Sequence, residues 1–411
     1  MHILLVADIH GNFSILNQLA HQVRADVIIL AGDLQMQSHN EMDRISDREL
    51  WLRITHSPQQ QLAADLDRHD RATLVSVVQE HRLLGQWDDV LDGSLELEVP
   101  VYAVWGNHED AQFVAMADAG KLEIPNLTFL TGREDFILDG WLRVSGIGGN
   151  LLVPAFLGTS LVTRDGRITA TLEIYATIQD RWRQLNHGSE LRVFVQHVSP
   201  HKDRACANPL LHIRPDLIIS GHMGPPFPQQ FSLYGPYRPA DIGPLHAWPA
   251  RRLQAIIKEM TLTEPLMAML DQAEQFLKDE GPDAFVARYL RGEHPLKEHV
   301  GPYFKLQNPD PKRRCVVALS RARADLERRS YWDLVGDERQ LSLLRSRAFL
   351  LDPPEPFAAS DDLTRRSGRG DNLLKKISSI NLPDAGDGYV LLKSNRKEHR
   401  LEIESYGGIR I

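Results

Sequence analysis

The sequence of 411 residues has only two cysteines, Cys206 and Cys315, so it cannot form a disulfide framework, and a reduced, cytoplasmic setting is expected. It has no run of about 18 apolar residues, which argues against a membrane span. The first residues, MHILLVADIHGN, lack the basic segment and small-residue cleavage site of a signal peptide and instead predict a buried strand. A net charge of −8 also disfavours a uniformly basic nucleic-acid-binding protein.

Short apolar runs alternate with amphipathic segments through the first half of the chain. Each run is too short for a helix and is rich in branched residues, as expected of strands buried on both faces. Between the first two runs, Asn12–Arg24 carries apolar residues at helical spacing. This alternation predicts a layered α/β domain. The runs are His2–Ala7, Val27–Ala31, Val101–Trp105, Leu142–Gly149, Leu191–Gln196 and Leu217–Ser220.

Two long segments interrupt the alternation, residues 35–98 and 150–190. Both exceed the loops of about 2–6 residues that usually connect strands and helices in α/β units. Both contain helical patterns, so we interpret them as helical caps inserted over the strand ends.

The pattern changes after residue 248, which predicts a first domain of residues 1–248 and an α+β accessory domain of residues 249–411. Pro265–Glu280 is amphipathic at helical spacing. Gly388–Leu392 and His399–Glu404 alternate like the two strands of a hairpin. The second half contains no recognisable catalytic motif.

Polar residues of metal-binding types follow five of the predicted strands. In open α/β sheets, ligands bind beyond the carboxyl ends of the strands, so these side chains are expected to meet. Their oxygen and nitrogen donors, without thiolates, suit Mn²⁺ first, with Fe, Zn²⁺ and Ni²⁺ as alternatives. A central aspartate can bridge two ions about 3.5–4 Å apart, and such a pair promotes in-line displacement at phosphorus. The residues are Asp8, His10, Asp33, Asn107, His108, His197 and His222.

Five motifs follow one another along the chain: DIH, GD, GNHE, a lone histidine at a strand end, and GH. In these motifs and their order, the chain resembles the calcineurin-like metallophosphoesterase superfamily over about residues 1–235. The resemblance implies a four-layer α/β/β/α sandwich with helical cap insertions and a C-terminal α+β extension. Residues 1–248 would then be the catalytic domain.

The resemblance also assigns roles to the strand-end residues. It implies a dinuclear centre in which Asp8, His10 and Asp33 hold one ion. The second ion is expected on Asn107, His197 and His222, together with Asp33 as the bridge. His108 matches the histidine that contacts the phosphate and protonates the leaving group.

Differences from the family pattern, and similarities to one of its branches, indicate which phosphate esters the protein hydrolyses. The last motif reads GHMG, with Gly224 where many phosphodiesterases have a second histidine; nearby His201, His212 and His246 are alternatives for that position. Met36 and Gln37 stand where the protein phosphatase branch has Asp and Arg, which disfavours that activity. The strings GDLQ, GNHE and IPNLTFLTG favour the RNA-lariat-debranching branch, although Asp8 and Gly224 differ from its usual cysteine and histidine.

The sequence therefore predicts a hydrolase of phosphodiester bonds in nucleic acid or nucleotides. The predicted mechanism is attack by a metal-bound hydroxide, with His108 as the general acid and with Asp33 and Asn107 in the catalytic centre. A phosphomonoesterase and a nucleotide pyrophosphohydrolase are alternatives. An alternative of another class is a non-catalytic metal-binding scaffold that holds protein partners through the second half. Residues 305–329 are rich in Lys and Arg, which suits a polyanionic substrate or, alternatively, a solvated surface.

Overall fold

The computed structural model describes residues 1–57, 60–67, 70–151, 160–163, 166–185, 190–200, 207–222, 232–234, 263–291, 319, 346–347, 350 and 378–407. The strands are β1 (His2–Val6), β2 (Val27–Ala31), β3 (Val101–Val104), β4 (Leu127–Phe129), β5 (Phe136–Leu138), β6 (Leu142–Ile147), β7 (Leu191–Val198), β8 (Leu217–Gly221), β9 (Ser232–Tyr234), β10 (Ser378–Asn381), β11 (Tyr389–Asn395) and β12 (Arg400–Gly407). The helices are α1 (Ser14–Val23), α2 (Asp47–Thr55), α3 (Arg71–Glu80), α4 (Trp87–Leu91), α5 (Ala111–Asp118), α6 (Leu172–Gln184), α7 (Ala207–Ile213) and α8 (Thr263–Arg291).

Within the described residues, the strands form two six-stranded sheets, ordered β12-β11-β1-β2-β3-β4 and β5-β6-β7-β8-β10-β9. The pairs β1–β2, β2–β3 and β3–β4 are parallel, as are β6–β7, β7–β8 and β8–β10. Parallel strands end at the same edge of a sheet, so each sheet gathers the residues that follow its strands. All six strands predicted in the first half are present.

Side chains of β1 alternate between two apolar cores. Leu4 and Val6 pack in a core with residues of α1 and α5. Ile3 and Leu5 pack instead with residues of the second sheet, such as Val193 of β7. On the second sheet, Tyr175 of α6 stacks on Phe194 of β7. The layers are therefore helix, sheet, sheet and helix, which confirms the predicted sandwich.

The first inserted segment, residues 35–98, contains α2, α3 and α4 and has an apolar core of its own. Leu50 and Ile54 of α2 are fully buried against Leu74 and Val78 of α3. The N-cap of α2 is formed by the Ser46 hydroxyl, which accepts a hydrogen bond from the Glu49 N–H. This packing fixes the orientation of α2, which carries a side chain into the candidate site.

The second inserted segment differs from the cap that its length predicts. Its helix, α6, connects the parallel strands β6 and β7 and forms part of the outer layer on the second sheet. Tyr175 donates its hydroxyl hydrogen to Gln196 Oε1 at 3.0 Å. A crossover between parallel strands needs a connection long enough to return along the sheet, and this requirement accounts for the helix.

The division of the chain also differs from the predicted boundary at residue 248. Met1–Ala250 and Phe349–Ile411 form one compact unit, and Arg251–Ala348 form a second. The predicted terminal hairpin is confirmed as β11 and β12, but β11 pairs with β1 and β10 pairs with β8. These backbone hydrogen bonds make the end of the chain part of both sheets.

In the second unit, the predicted helix Pro265–Glu280 lies inside α8, which is interrupted at Gly281, where φ is 81° and ψ is 170°. Of the helices described, none is long and apolar enough to cross a membrane. Three sequence features lie outside the described residues: the predicted connection at 301–316, the basic segment 305–329 apart from its residue Leu319, and the segment 352–372.

Candidate metal centre

The loops that follow β1 and β2 are joined by backbone hydrogen bonds. Asp8 N–H donates to the Gly32 carbonyl at 2.9 Å, and His10 N–H donates to the Asp33 carbonyl at 3.0 Å. These bonds place the predicted ligands of the first two strands side by side. The sequence motifs DIH and GD therefore form one structural unit.

Asp33 lies at the centre of the strand ends. Its Oδ1 accepts hydrogen bonds from the backbone N–H groups of Asn107 at 2.9 Å and His108 at 3.2 Å. It also forms a cluster with His197 and His222, whose candidate ligand atoms all lie within 4.8 Å of one another. Asp33 therefore lies where the ends of β3, β7 and β8 meet.

The His197 ring is fully buried and held at both nitrogens. Nδ1 lies 3.1 Å from the carbonyl oxygen of Ala31, and Nε2 lies 3.0 Å from Asn107 Oδ1 and 3.4 Å from Asp33 Oδ1. A carbonyl can only accept, so Nδ1 carries a hydrogen, and in the neutral form of the ring the Nε2 lone pair faces these two oxygen atoms. Acceptors that face one another in a buried site are the arrangement that a cation stabilises, so these residues fit a bound metal ion.

Asp8 connects the first sheet to the second. Its Oδ2 accepts a hydrogen bond from His222 N–H at 2.8 Å, and its Oδ1 lies 3.6 Å from His197 Nδ1. Only 3% of Asp8 is exposed. The ends of β1, β7 and β8 therefore meet at one point, as the sequence predicts for Asp8, His197 and His222.

Strained backbone is concentrated at the predicted ligands. Asp8, His10, Asp33 and His222 have φ angles of 54°, 46°, 47° and 58°, in the left-handed region that non-glycine residues seldom adopt. Each such residue is maintained at a cost of about 1–3 kcal/mol by the surrounding structure. Because this strain occurs where four ligand candidates turn into the site, it supports a functional reason for their conformation.

Glycine precedes Asp33 and Asn107 because the backbones there approach other site residues closely. A Cβ atom on Gly32 would lie 2.2 Å from His197 Nδ1, and one on Gly106 would lie 1.9 Å from Asp33 Oδ1. No side chain fits at either position without displacing these residues. The glycines of the GD and GNHE strings thus allow the strand ends to meet.

The surrounding imidazoles keep Asp33 ionised. Burial raises the pKa of Asp33, but the positive charge of His197 and then of His108, in their protonated forms, outweighs burial and holds the pKa below its ordinary value. Asp33 is therefore a carboxylate at neutral pH, which is the form that binds cations.

His108 is held by Glu49, a residue of the cap helix α2. His108 Nδ1 lies 2.7 Å from Glu49 Oε2, and Arg53 Nη2 donates to the same oxygen at 3.4 Å. Burial lowers the pKa of His108, but Asp33 and Glu49 more than offset burial and raise it above the usual value. Glu49 could not be predicted as a site residue from the sequence, because it lies in a helix far from every motif.

Glu109, the last residue of GNHE, fastens the loop after β2 to the loop after β3. Its Oε1 accepts from the N–H groups of Leu34 and Gly106, both at 2.9 Å, and its Oε2 accepts from Met36 N–H at 2.7 Å. Burial is the main cause that raises the pKa of Glu109, to about 7. Glu109 thereby fixes the relative position of the loops that carry Asp33 and Asn107.

The structure brings all the predicted site residues to one edge, although not into one contact cluster. His10 is more open, with 37% of its side chain exposed, and its ring centroid lies 6.2 Å from that of His108. Gly224, His201 and His246 lie outside the described residues. His212 is on α7, before β8, and so does not follow a strand end.

The family model of the calcineurin-like phosphoesterases matches residues 1–226, more than half of the 411 residues. The chain belongs to this family. Membership implies a metal-dependent hydrolase of phosphate esters, and the cluster of Asp33, His197 and the partly buried His222 is a potential metal site of this kind. A search among curated proteins found no match.

Proposed function

We propose that this protein is a dinuclear-metal-dependent phosphodiesterase that acts on nucleic acid or nucleotides. The observation that carries the proposal is the close approach of the buried His197 Nε2 to oxygen atoms of Asp33 and the partly buried Asn107, with His108 beside them. Membership of the phosphoesterase family supplies the reaction class. Mn²⁺ remains our first choice of metal because the donors are oxygen and nitrogen.

The proposed ligands fall into two sets that share Asp33. Asp8 and His10 complete the first set, and Asn107, His197 and His222 complete the second. Divalent ions bound there would make a nucleophile of water at neutral pH and neutralise charge on the phosphoryl group. The chain's own part is to hold the donors in place, through the Ala31 carbonyl on His197 and the His222 N–H on Asp8.

His108 is the proposed general acid. Because Glu49 contacts its Nδ1, the ring orientation is fixed, and Nε2 is the nitrogen that would donate a proton to the leaving oxygen. Its raised pKa increases the protonated fraction at neutral pH, which an acid requires. The backbone bond from His108 to Asp33 couples the acid to the metal centre.

The preference for diesters rests on the strings GDLQ, GNHE and IPNLTFLTG and on the basic residues of 305–329. We propose nucleic acid as the partner because long polyanions bind through many phosphate contacts. No membrane partner is proposed, and a protein partner for residues 249–411 stays a prediction, as does the cytoplasmic location.

The proposed activity can be tested with full-length protein stripped of metal by a chelator and then supplied with Mn²⁺. We expect Mn²⁺ to restore hydrolysis of bis(p-nitrophenyl) phosphate and RNA, linear or branched, faster than that of p-nitrophenyl phosphate. Faster monoester hydrolysis would instead indicate a phosphomonoesterase, and pyrophosphate release from a nucleotide would indicate a pyrophosphohydrolase. Bound metal without any turnover would indicate a scaffold.

Glu49→Gln is expected to lower kcat by roughly 10- to 100-fold with little change in KM, the usual effect of losing a residue that orients a functional histidine. The amide keeps the shape of the side chain but loses the charge that faces His108 Nδ1. Steady-state kinetics on an alkyl-leaving-group diester measure the effect. Glu80→Gln, an exposed glutamate at the end of α3, is the control.

A purely structural role for Glu49 makes a different prediction. If Glu49 acts through His108, Glu49→Gln should have no further effect on a protein that already carries His108→Ala. Additive losses in the double variant would show that Glu49 stabilises the cap rather than positions the histidine.

A further inference from the structure

A further strand end reaches the edge of the sheet where the metal centre lies. Strand β10, from the C-terminal part of the chain, is parallel to β8, with Asn381 paired to Ser220. Leu382 N–H donates to the Ser220 carbonyl at 2.8 Å, so the pairing continues to the end of both strands. The residues after β10 therefore emerge beside His222, which follows β8.

Asp384 follows β10 and lies beside the predicted metal ligands that follow β1. It forms a parallel bridge with Ala7, the residue before Asp8. Its carbonyl accepts hydrogen bonds from Asp387 N–H at 2.8 Å and Gly388 N–H at 3.1 Å. This turn fixes the backbone from which the Asp384 carboxylate projects.

The Asp384 carboxylate lies next to a predicted metal ligand. Asp384 Oδ2 is 3.9 Å from His10 Nε2. That distance is too long for a hydrogen bond. It is compatible with two donors on nearly opposite sides of one octahedral ion such as Mn²⁺, because opposite donors at about 2.0–2.2 Å from the ion lie up to about 4.3 Å apart.

We infer that Asp384 is a ligand of the first metal ion, together with Asp8, His10 and Asp33. The inference rests on the proposed two-ion centre and adds a fourth protein donor to an otherwise three-residue set. Asp384 lies outside residues 1–226, the part of the chain that the family model matches. This assignment also gives β10 and β11 a functional role, because their pairing with β8 and β1 brings Asp384 to the site.

Metal binding tests this assignment independently of turnover. The experiment is calorimetric titration of Mn²⁺ into full-length, chelator-stripped protein, with bound Mn²⁺ counted by electron paramagnetic resonance. We expect two ions in the wild type and, in Asp384→Ala, at least about tenfold weaker binding of one of them. Asp384→His, which restores a donor, should recover most of the affinity.

The control is Asp387→Ala, an exposed aspartate in the same turn, which should bind both ions as the wild type does. In a His10→Ala background, Asp384→Ala should still weaken binding, because a direct ligand does not act through His10. No further loss there, or two wild-type-like sites in Asp384→Ala, would overturn the assignment. A wild type that binds no Mn²⁺ would contradict the proposed function itself.

If Asp384→Ala lowers the melting temperature of the metal-free protein, the comparison is repeated with Asp384→Asn, which keeps the side chain's shape. An amide oxygen is a weaker ligand than a carboxylate, so one Mn²⁺ should again bind less tightly. Unchanged affinity in a normally folded Asp384→Asn would count against the ligand role.

Discussion

Asp33→Asn is expected to reduce turnover to background and to lower the metal content at both positions of the centre. Asp33 is the one residue that the proposed ligand sets share, so its charge acts on both ions. The substitution also weakens the acceptor that holds the Asn107 and His108 backbones at 2.9 and 3.2 Å. Metal content per chain and phosphodiester hydrolysis are measured on the same preparation.

Asp92→Asn is the matched control for this charge removal, because Asp92 is exposed in a loop away from the strand ends. The control should keep wild-type turnover and metal content. An Asp33→Asn protein with two ions per chain and full turnover would contradict the bridging role. Loss of one ion alone would show that Asp33 is a ligand but not a bridge.

The sequence predicts the sheets well where strands are short, apolar and parallel. Runs such as Val27–Ala31 are buried on both faces, and burial on both faces leaves a continuous apolar signal. The carboxyl ends of those strands must share an edge, so the meeting of Asp8, Asp33 and His197 follows from the order of the motifs. Local pattern and global geometry agree for this part of the molecule.

The sequence predicts less where the contacts are long-range. Strand β11 carries a clear hairpin pattern with β12, but the same pattern does not show that it pairs with β1. Strands of three residues, such as β4 and β5, are too short to give a periodic signal.

The same limit applies to the site residues that the motifs omit. Glu49 reaches His108 because the packing of α2 on α3 turns it inward, and α2 has no pattern that announces this. Asp384 reaches His10 only through the pairing of β10 with β8. Tertiary structure, rather than local sequence, determines both contacts.

His108→Ala is expected to leave both metal ions bound and to slow turnover by roughly 10²–10⁴-fold, the usual contribution of a positioned general acid. His108 touches Asp33 through its backbone N–H, which alanine retains, so the metal ligands should stay in place. Metal content and kcat for an alkyl-leaving-group diester are the measurements. His81→Ala, an exposed histidine after α3, is the control.

The choice of leaving group distinguishes an acid from a residue that only binds the phosphate. A nitrophenolate leaves without help from a proton, whereas an alkoxide such as a ribose oxygen needs one, so loss of the acid should slow the second substrate far more than the first. A residue that binds the phosphate contacts the same group in both substrates and should affect them equally. Equal losses for the two leaving groups in His108→Ala would therefore assign His108 to phosphate binding, and the proton would have to come from elsewhere in the site.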